Sequence, residues 1–568
     1  MRLSKRFVQR LILVSIVAVV TTALAIKTRP SVTPPLSMVQ DWSNHHIIYG
    51  NTDLSSLALL ARRDPRALSN WIHRNSHLLR PRRTGPYRAV TRSKNSHVDW
   101  AMSLGGNGGL AVGETPAKFT FDITKPPSCA NDFVVFVVNA TPGVGSQANI
   151  VAFNNIYAGP AAGSCSANPT FYWSYAVGSG PVYLSPVLSQ DGTKVAFLES
   201  ASNGQIIFHV LTWVAGQGTN ATTGAVAPGN GSSVTSLSYT NVTAPGCAIT
   251  PATASDASPY VDYGSDSAYV AADNGNLYRI NGVFKGTPTV AYCVTVKANA
   301  AMTSPVYDAQ SGKVFVSDGQ SVYAYVPGAN GFTAAGSIQV AGTANSIVLS
   351  PIVDSTNGFV YVFSSHNTTN GNAIVSQMPL SLTSHADAAI GPATTGFVLD
   401  GQFDNNYYNL GPSGGSLYAC GTQTGASTKP SLYTLTFNSL GILNSAPAMS
   451  NDVHVNTAAN PAGTCSPLLE LFDGTHDRLF VGVGQRGSTA GGNLVTMWTI
   501  TNRITSNATT PTATATNYLG GTSGFSMDNF STSPEASSIY FGTLAKGTGG
   551  PCGNNLYCAV KLTQSGLQ

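Results

Sequence analysis

The apolar positions of this chain fall in short runs, and the runs recur in sets. In "SPVYDAQSGKVFVSDGQSVYAYVPG", residues 304–328, an apolar pair leads through a polar turn into a Val/Phe strand, and a second turn leads into a Tyr/Val strand. The same order returns in "SPVLSQDGTKVAFLESASNGQIIFHVLTW" from Ser185, "SPYVDYGSDSAYVAADNGNLYRING" from Ser258 and "SPIVDSTNGFVYVFSSHNTTNGNAIVSQM" from Ser350. Further copies begin at Gly411, Ser466 and Ser533, and a more diverged one at Cys129. Continuous apolar strands suit sheets covered on both faces. Asp-Gly and Asn-Gly pairs supply the positive φ of tight hairpins. Pro cannot donate to a strand ladder and restricts the residue before it, so Ser-Pro suits a lead-in loop.

Copies begin 46 to 73 residues apart, the spacing of four-stranded propeller blades with loop insertions. Residues 171–178, 290–296 and 336–342 are candidate outer strands. The chain therefore reads as all-β, a β-propeller of about eight four-stranded blades with seven as the alternative. A β-sandwich would not need near-equivalent units with a recurrent Ser-Pro start. The last copy ends at "YCAVKLTQSGLQ" with no room for an outer strand. "VDWAMSLGG" at 98–106 has an outer strand's pattern and precedes "PAKFTFDI", a candidate innermost strand. The N-terminal strand is expected to complete the last blade and close the ring.

The first 97 residues lack this pattern. Residues 1–25 run from Arg2, Lys5, Arg6 and Arg10 through an apolar stretch to Ala23-Leu24-Ala25, the order of a signal peptide. An uncleaved anchor is the alternative. Residues 26–97 form a basic, Pro-rich segment in which "DLSSLALLARRDPRALSNWIHRNSHLL" predicts two short helices, one capped by Asp53 and one starting at Asp64-Pro65. Residues 98–568 form the propeller domain. Charge sharpens the division: 26–97 carry twelve Lys or Arg against three Asp, and 98–568 carry thirteen against twenty-two acidic residues. The basic segment reads as a loosely held extension; the sharper readings are docking on the acidic domain or attraction to an anionic surface. "RPRR" at 80–83 fits a basic processing site. With only 10% charged residues, 58 Gly and 42% hydrophobic content, long solvent-facing helices and global disorder are both excluded.

Export favours disulfides. The eight cysteines fall in sequential pairs, Cys129 with Cys165, Cys247 with Cys293, Cys420 with Cys465 and Cys552 with Cys558, without the close Cys-x-x-Cys spacing of a metal cluster. His45 and His46, and His73 and His77 at i and i+4, raise metal binding, but Arg74 and the lack of a nearby carboxylate count against it. Asp473, His476 and Asp477 could hold a cation or act as acid and base, yet they occupy a hairpin turn in the repeat. So does "DNGN" at 273–276. Glycine-rich 105–113 lacks the helix and Lys of a phosphate cradle. No His-Glu-x-x-His motif is present. The sequons at Asn139, Asn220, Asn241 and Asn367 are explained by a composition rich in Asn, Ser and Thr. Tyr407 and Tyr408 are either stacking surfaces or strand residues.

The Ser-Pro, Asp-Gly, Val-Tyr-Val and Leu-Tyr pattern resembles the blades of quinoprotein-like (PQQ-type repeat) β-propellers. More narrowly, "DWAMSLGG", "PAKFTFDI" and "CANDFVVFVVN" resemble a group of uncharacterised exported bacterial propeller proteins. The resemblance covers roughly residues 98–568 and implies the fold, a scaffold that hosts many unrelated functions. Quinoprotein dehydrogenases set a vicinal disulfide against the cofactor and place an acidic residue, an Asn and a catalytic Asp around calcium. This chain has no adjacent cysteines, and no blade carries that set. No catalytic, cofactor-binding or metal residue is therefore assigned; calcium stays open and a quinone is disfavoured. The expectation is a secreted, cell-surface or periplasmic monomer that binds or scaffolds a polysaccharide, surface component or protein. Neither nucleic acid nor membrane contact beyond the signal peptide is expected. A propeller enzyme, either a quinone-dependent oxidoreductase or a carbohydrate-active hydrolase or lyase, is the alternative; a structural cell-envelope protein is a third reading. Function is expected in the long insertions after residues 213, 378 and 437.

Overall fold

The computed structural model describes residues 36–50, 53–79, 97–159, 165, 168–247, 251–394, 400–423, 426–446, 453–454, 464–484, 494–506, 509–528 and 538–563. The signal-peptide reading, the basic run at 80–83 and Ser533-Pro534 fall outside them. The described strands form eight sheets, each a propeller blade.

The fourth blade shows why the repeat folds as it does. Val306–Asp308, Lys313–Ser317, Ser321–Pro327 and Phe332–Gln339 pair antiparallel in sequence order. Asp308 accepts the N–H groups of Gln310 and Ser311, which turns the chain into the second strand. Asp318 accepts those of Gln320 and Ser321, and Gly319 between them has φ +85°, a conformation a side chain would strain. Val314, Phe315 and Val316 are all fully buried, so both faces of the second strand are covered by neighbours.

The other blades start from Ala117–Thr120, Val187–Leu188, Tyr260–Asp262, Ile352–Asp354, Gly401–Phe403, Leu469–Phe472 and Ser526–Asp528. His97–Gly105 pairs with Tyr557–Thr563 as the outer strand of the eighth blade, so the N-terminal side of the domain closes the ring. Trp100 of this strand packs against Phe153 and Tyr540, and Asp99 forms a buried ion pair with Lys561 at 3.1 Å. Disulfides join Cys129 to Cys165, Cys247 to Cys293, Cys420 to Cys465 and Cys552 to Cys558.

Three boundaries differ from the sequence pattern. In the sixth blade the innermost strand is Gly401–Phe403, so the copy read from Gly411 starts one strand late. Tyr407 and Tyr408 lie between those strands on the short helix Asn405–Leu410, capped by Asp404. In the eighth blade the innermost strand Ser526–Asp528 precedes Ser533-Pro534 rather than following it. The outer strand read at 336–342 runs instead over Phe332–Gln339, in register with Ser321–Pro327 across a bulge.

The larger difference lies in the basic segment, whose described residues 36–50 and 53–79 are built into the ring. Met38–Gln40 adds antiparallel to the innermost strand of blade 1, pairing Val39 with Phe119. Nine residues later Ile47–Ile48 adds parallel to the innermost strand of blade 5, pairing Ile47 with Val353. The chain thus spans the central channel between two inner strands. Helices Leu54–Arg63 and Arg66–Leu79 then pack where the inner strands end, with Ile47, Tyr49, Leu57 and Ala67 forming a small core of their own. Asp53 caps the first helix through the N–H groups of Ser55 and Ser56, as its position in the sequence predicts.

Candidate functional site

The two ends of the channel are built from different chemistry. Where the inner strands end, the plug is held by paired arginines. Arg66 is 3% exposed, donates to Asp64 at 3.1 Å, to Val261 O at 2.8 Å and to Ser43 Oγ at 2.8 Å, and lies over the rings of Tyr260 and Tyr263. Arg74 donates through both terminal nitrogens to Glu470 in the innermost strand of blade 7, at 3.1 and 2.5 Å, and covers the ring of Tyr408. Buried guanidinium groups persist only with such partners, and a two-pronged carboxylate contact is the strongest of them. Burial and the adjacent Glu470 push the Asp477 carboxyl well above its usual range.

The other end begins with the Ser-Pro loops, whose serines do more than lead in. The Thr115 N–H of blade 1 donates to Ser185 Oγ of blade 2 at 2.9 Å. The Ser185 N–H donates to Ser258 Oγ of blade 3, and the Ser258 N–H to Ser304 Oγ of blade 4. One small hydroxyl at the same place in successive blades therefore ties each blade to the next. At blade 5 the series changes: Ser350 Oγ lies 2.8 Å from Nδ1 of the plug's His46.

These loops and the plug enclose a cavity of about 570 Å³, lined from blades 1 to 5. Trp42 and His46 of the plug lie on one side of it, with Trp42 fixed by its indole N–H on Pro259 O at 3.2 Å and by an edge contact to Tyr260. Asp256 and Asn345, both exposed, stand at the rim. Apolar wall is supplied by Val112, Met302, Ile347 and Leu349. Two ionisable lining groups are buried, and burial holds both neutral. The His46 ring is pushed down to about 3, and the Glu114 carboxyl is raised well above its usual range. Glu114 Oε2 accepts the Ala111 N–H at 3.0 Å, while Oε1 is buried with no hydrogen-bond partner among the described residues.

The residues singled out by sequence are scattered. His45 and His46 are part of the plug, His45 pushed down to about 4 by burial, and the docked segment is not the loose extension its Pro content suggested. His73 and His77 fall on the second helix. Asp473 accepts the N–H groups of Thr475 and His476 and so makes a hairpin turn, while Asp477 accepts the Asn405 N–H beside the Arg74 pair. Asp273 accepts the Thr253 N–H, and Asn274 and Asn276 donate to Tyr278. Tyr407 and Tyr408 are buried, Tyr407 donating to Asp354 at 2.6 Å, so neither is a free stacking surface. Among the described residues no group of three His, Cys, Asp or Glu could hold a metal ion.

The described parts of the insertions serve the scaffold. Residues after 213 return to blade 1, where Gly145 donates to Ala225 and Ala176 to Val226. After 378 the chain makes a short turn into Ala386–Pro392. After 437, Gly441 and Leu443 bond Gln377 of blade 5. The residues that sequence reasoning missed are Trp42, His46 as a plug residue, and Glu114. The chain has only four glutamates, and the three that are described, Glu114, Glu199 and Glu470, are all buried. That scarcity was the available signal. The glycine-rich stretch set aside as a phosphate loop supplies Ala111 to Gly113 of the cavity wall.

No family model matches the sequence, and no curated protein matches it. Among solved structures, BamB from Moraxella catarrhalis is 11% identical, with 82% of this chain and 100% of that chain covered and a TM-score of 0.40. Sqt1 from Saccharomyces cerevisiae is 10% identical, with 83% and 99% covered and a TM-score of 0.45. A putative 6-phosphogluconolactonase from Bacteroides fragilis is 13% identical, with 69% and 99% covered and a TM-score of 0.37. These are likenesses of fold and assign no activity.

Proposed function

We propose that this protein is an exported binding protein that takes its ligand in the cavity at the Ser-Pro end of the channel. The observation that carries the reading is the self-filled channel: the chain's own residues 38–48 cross it, leaving a cavity of about 570 Å³ between them and the Ser-Pro loops. That volume lies in the range of small-ligand sites. Export is supported by the four disulfides and by the charge order of residues 1–25. The ligand is a component of a polysaccharide, of the cell surface or of a protein. The quinoprotein-like resemblance supports the scaffold but supplies no residue for quinone chemistry.

Native mass spectrometry of the purified mature protein tests this reading, alongside Ala301→Trp, which places an indole in the cavity. A small bound species present in the wild type and lost in Ala301→Trp supports it. A stoichiometric quinone or calcium ion retained by both proteins would overturn it in favour of an enzyme.

A further inference from the structure

We infer that Glu114 is a neutral hydrogen-bond donor in the wall of the cavity, and that the cavity takes an uncharged ligand presenting an amide-type carbonyl oxygen to Glu114 Oε1. This rests on the binding reading above and narrows it to a ligand class.

The inference follows from the hydrogen bonding of one carboxyl group. Glu114 is 2% exposed and lines the cavity. A buried carboxylate survives only against a cation or several donors, and the sole donor to it among the described residues is the Ala111 N–H, on Oε2. No Lys or Arg lines the cavity. The group is therefore the neutral acid, which agrees with burial raising it well above the usual carboxylate range. Because Oε2 accepts from a backbone N–H, Oε2 is the carbonyl oxygen and the proton sits on Oε1. Oε1 is thus an O–H donor without an acceptor, a costly state in a buried site. A ligand oxygen that accepts this proton recovers that cost. An anion would meet no cation among the lining residues, and an ammonium group at Oε1 would meet a donor rather than an acceptor, the other lining acid, Asp256, being exposed at the rim. An amide carbonyl accepts strongly while carrying no charge. The methyl or methylene beside it fits the apolar wall of Val112, Met302, Ile347 and Leu349. The same acetamide unit occurs in N-acetylated sugars and in acetylated peptides.

The test compares binding of N,N′-diacetylchitobiose, its de-acetylated diammonium counterpart, cellobiose and N-acetylalanine methylamide by ligand-observed NMR. Two variants separate the roles of the carboxyl. Glu114→Gln keeps an oxygen for the Ala111 N–H and places an NH₂ donor where Oε1 stands; Glu114→Met removes the donor. The expected result is binding of an acetamide probe in preference to the diammonium sugar and cellobiose. Glu114→Gln should retain it, and Glu114→Met should weaken it about five- to tenfold, the worth of one neutral hydrogen bond. Preference for the sugar or for the peptide probe identifies the source. Binding of the diammonium sugar that is lost in Glu114→Gln would overturn the inference, because it would show an anionic carboxylate. Binding of no acetamide probe would also overturn it. If Ala301→Trp leaves the binding of every probe intact, the cavity reading itself fails.

Discussion

At one end of the channel, cations are matched to acids at hydrogen-bond distance. At the other, a buried acid faces a cavity with no cation in its wall. Arg66 and Arg74 reach Asp64 and Glu470, and their guanidinium planes lie on Tyr260 and Tyr408. Glu114 has one backbone donor and an empty oxygen. The difference teaches where stability ends and recognition begins: buried cations and acids paired at hydrogen-bond distance lock a packing arrangement, whereas a buried carboxyl with one oxygen unpartnered and no cation beside it stores a preference for whatever completes it.

The comparison requires a closed ring, so the largest effect is expected at the closure. Deleting residues 98–106 removes the outer strand of blade 8, the buried Trp100 and the Asp99–Lys561 pair together. The whole domain should lose its cooperative thermal transition; a deletion variant that melts like the wild type contradicts ring closure by this strand.

At the matched end, Arg74→Met leaves Glu470 buried without its cation, beside an already raised Asp477. A loss of about 3–5 kcal/mol in denaturant unfolding is expected. Combining it with Glu470→Leu should recover much of that loss, since the cost lies in the unpaired charge. If Arg74→Met costs no more than an exposed arginine such as Arg62 does, the plug is not anchored there.

Asp400 extends the unmatched chemistry to blade 6. It accepts the Leu468 N–H, its second oxygen has no partner among the described residues, and burial raises it to about 8. In the unfolded chain the same carboxyl loses its proton near 3.8. Between those values the folded state holds the extra proton, so this group's contribution is full below about 4 and is lost as pH rises toward 8, at up to about 1.4 kcal/mol per pH unit. Asp400→Asn, which keeps an acceptor for Leu468, should raise stability at pH 8 and change it little at pH 4. Equal effects at both pH values would show that the carboxylate is already ionised in the fold.

The repeat was legible because each blade is a local object. Strand, Asp-Gly turn and strand lie within some 25 residues, as in 304–328, and the closing strand carries the same aromatic pattern as the outer strand at 171–178. The plug was not legible, because nothing local distinguishes its residues. Arg62 and Arg66 look alike in sequence, and partners as distant as Val261, 195 residues away, make one of them a buried anchor. Arg74 finds Glu470 across 396 residues. Ile47 and Ile48 carry no strand signal of their own until blade 5 gives them a partner. In the cavity, Thr115-Pro116 stands where other blades have Ser-Pro, so the unusual glutamate before it was visible, but its lack of a partner was not. The serine clasp was half legible: Pro explained the loop, while the hydroxyl's use by the neighbouring blade needed the ring.

The central claim is that residues 38–40 and 47–48 pair with inner strands of the ring rather than lying in a tail, and amide hydrogen exchange on the full chain tests it most directly. Three amides decide it: those of Met38 and Gln40, in register with Thr120 and Lys118, and that of Ile48, in register with Asp354. The account predicts that this segment exchanges as slowly as the inner strands of blades 1 and 5. Exchange at the rate of an unstructured peptide, with those inner strands still protected, would contradict it.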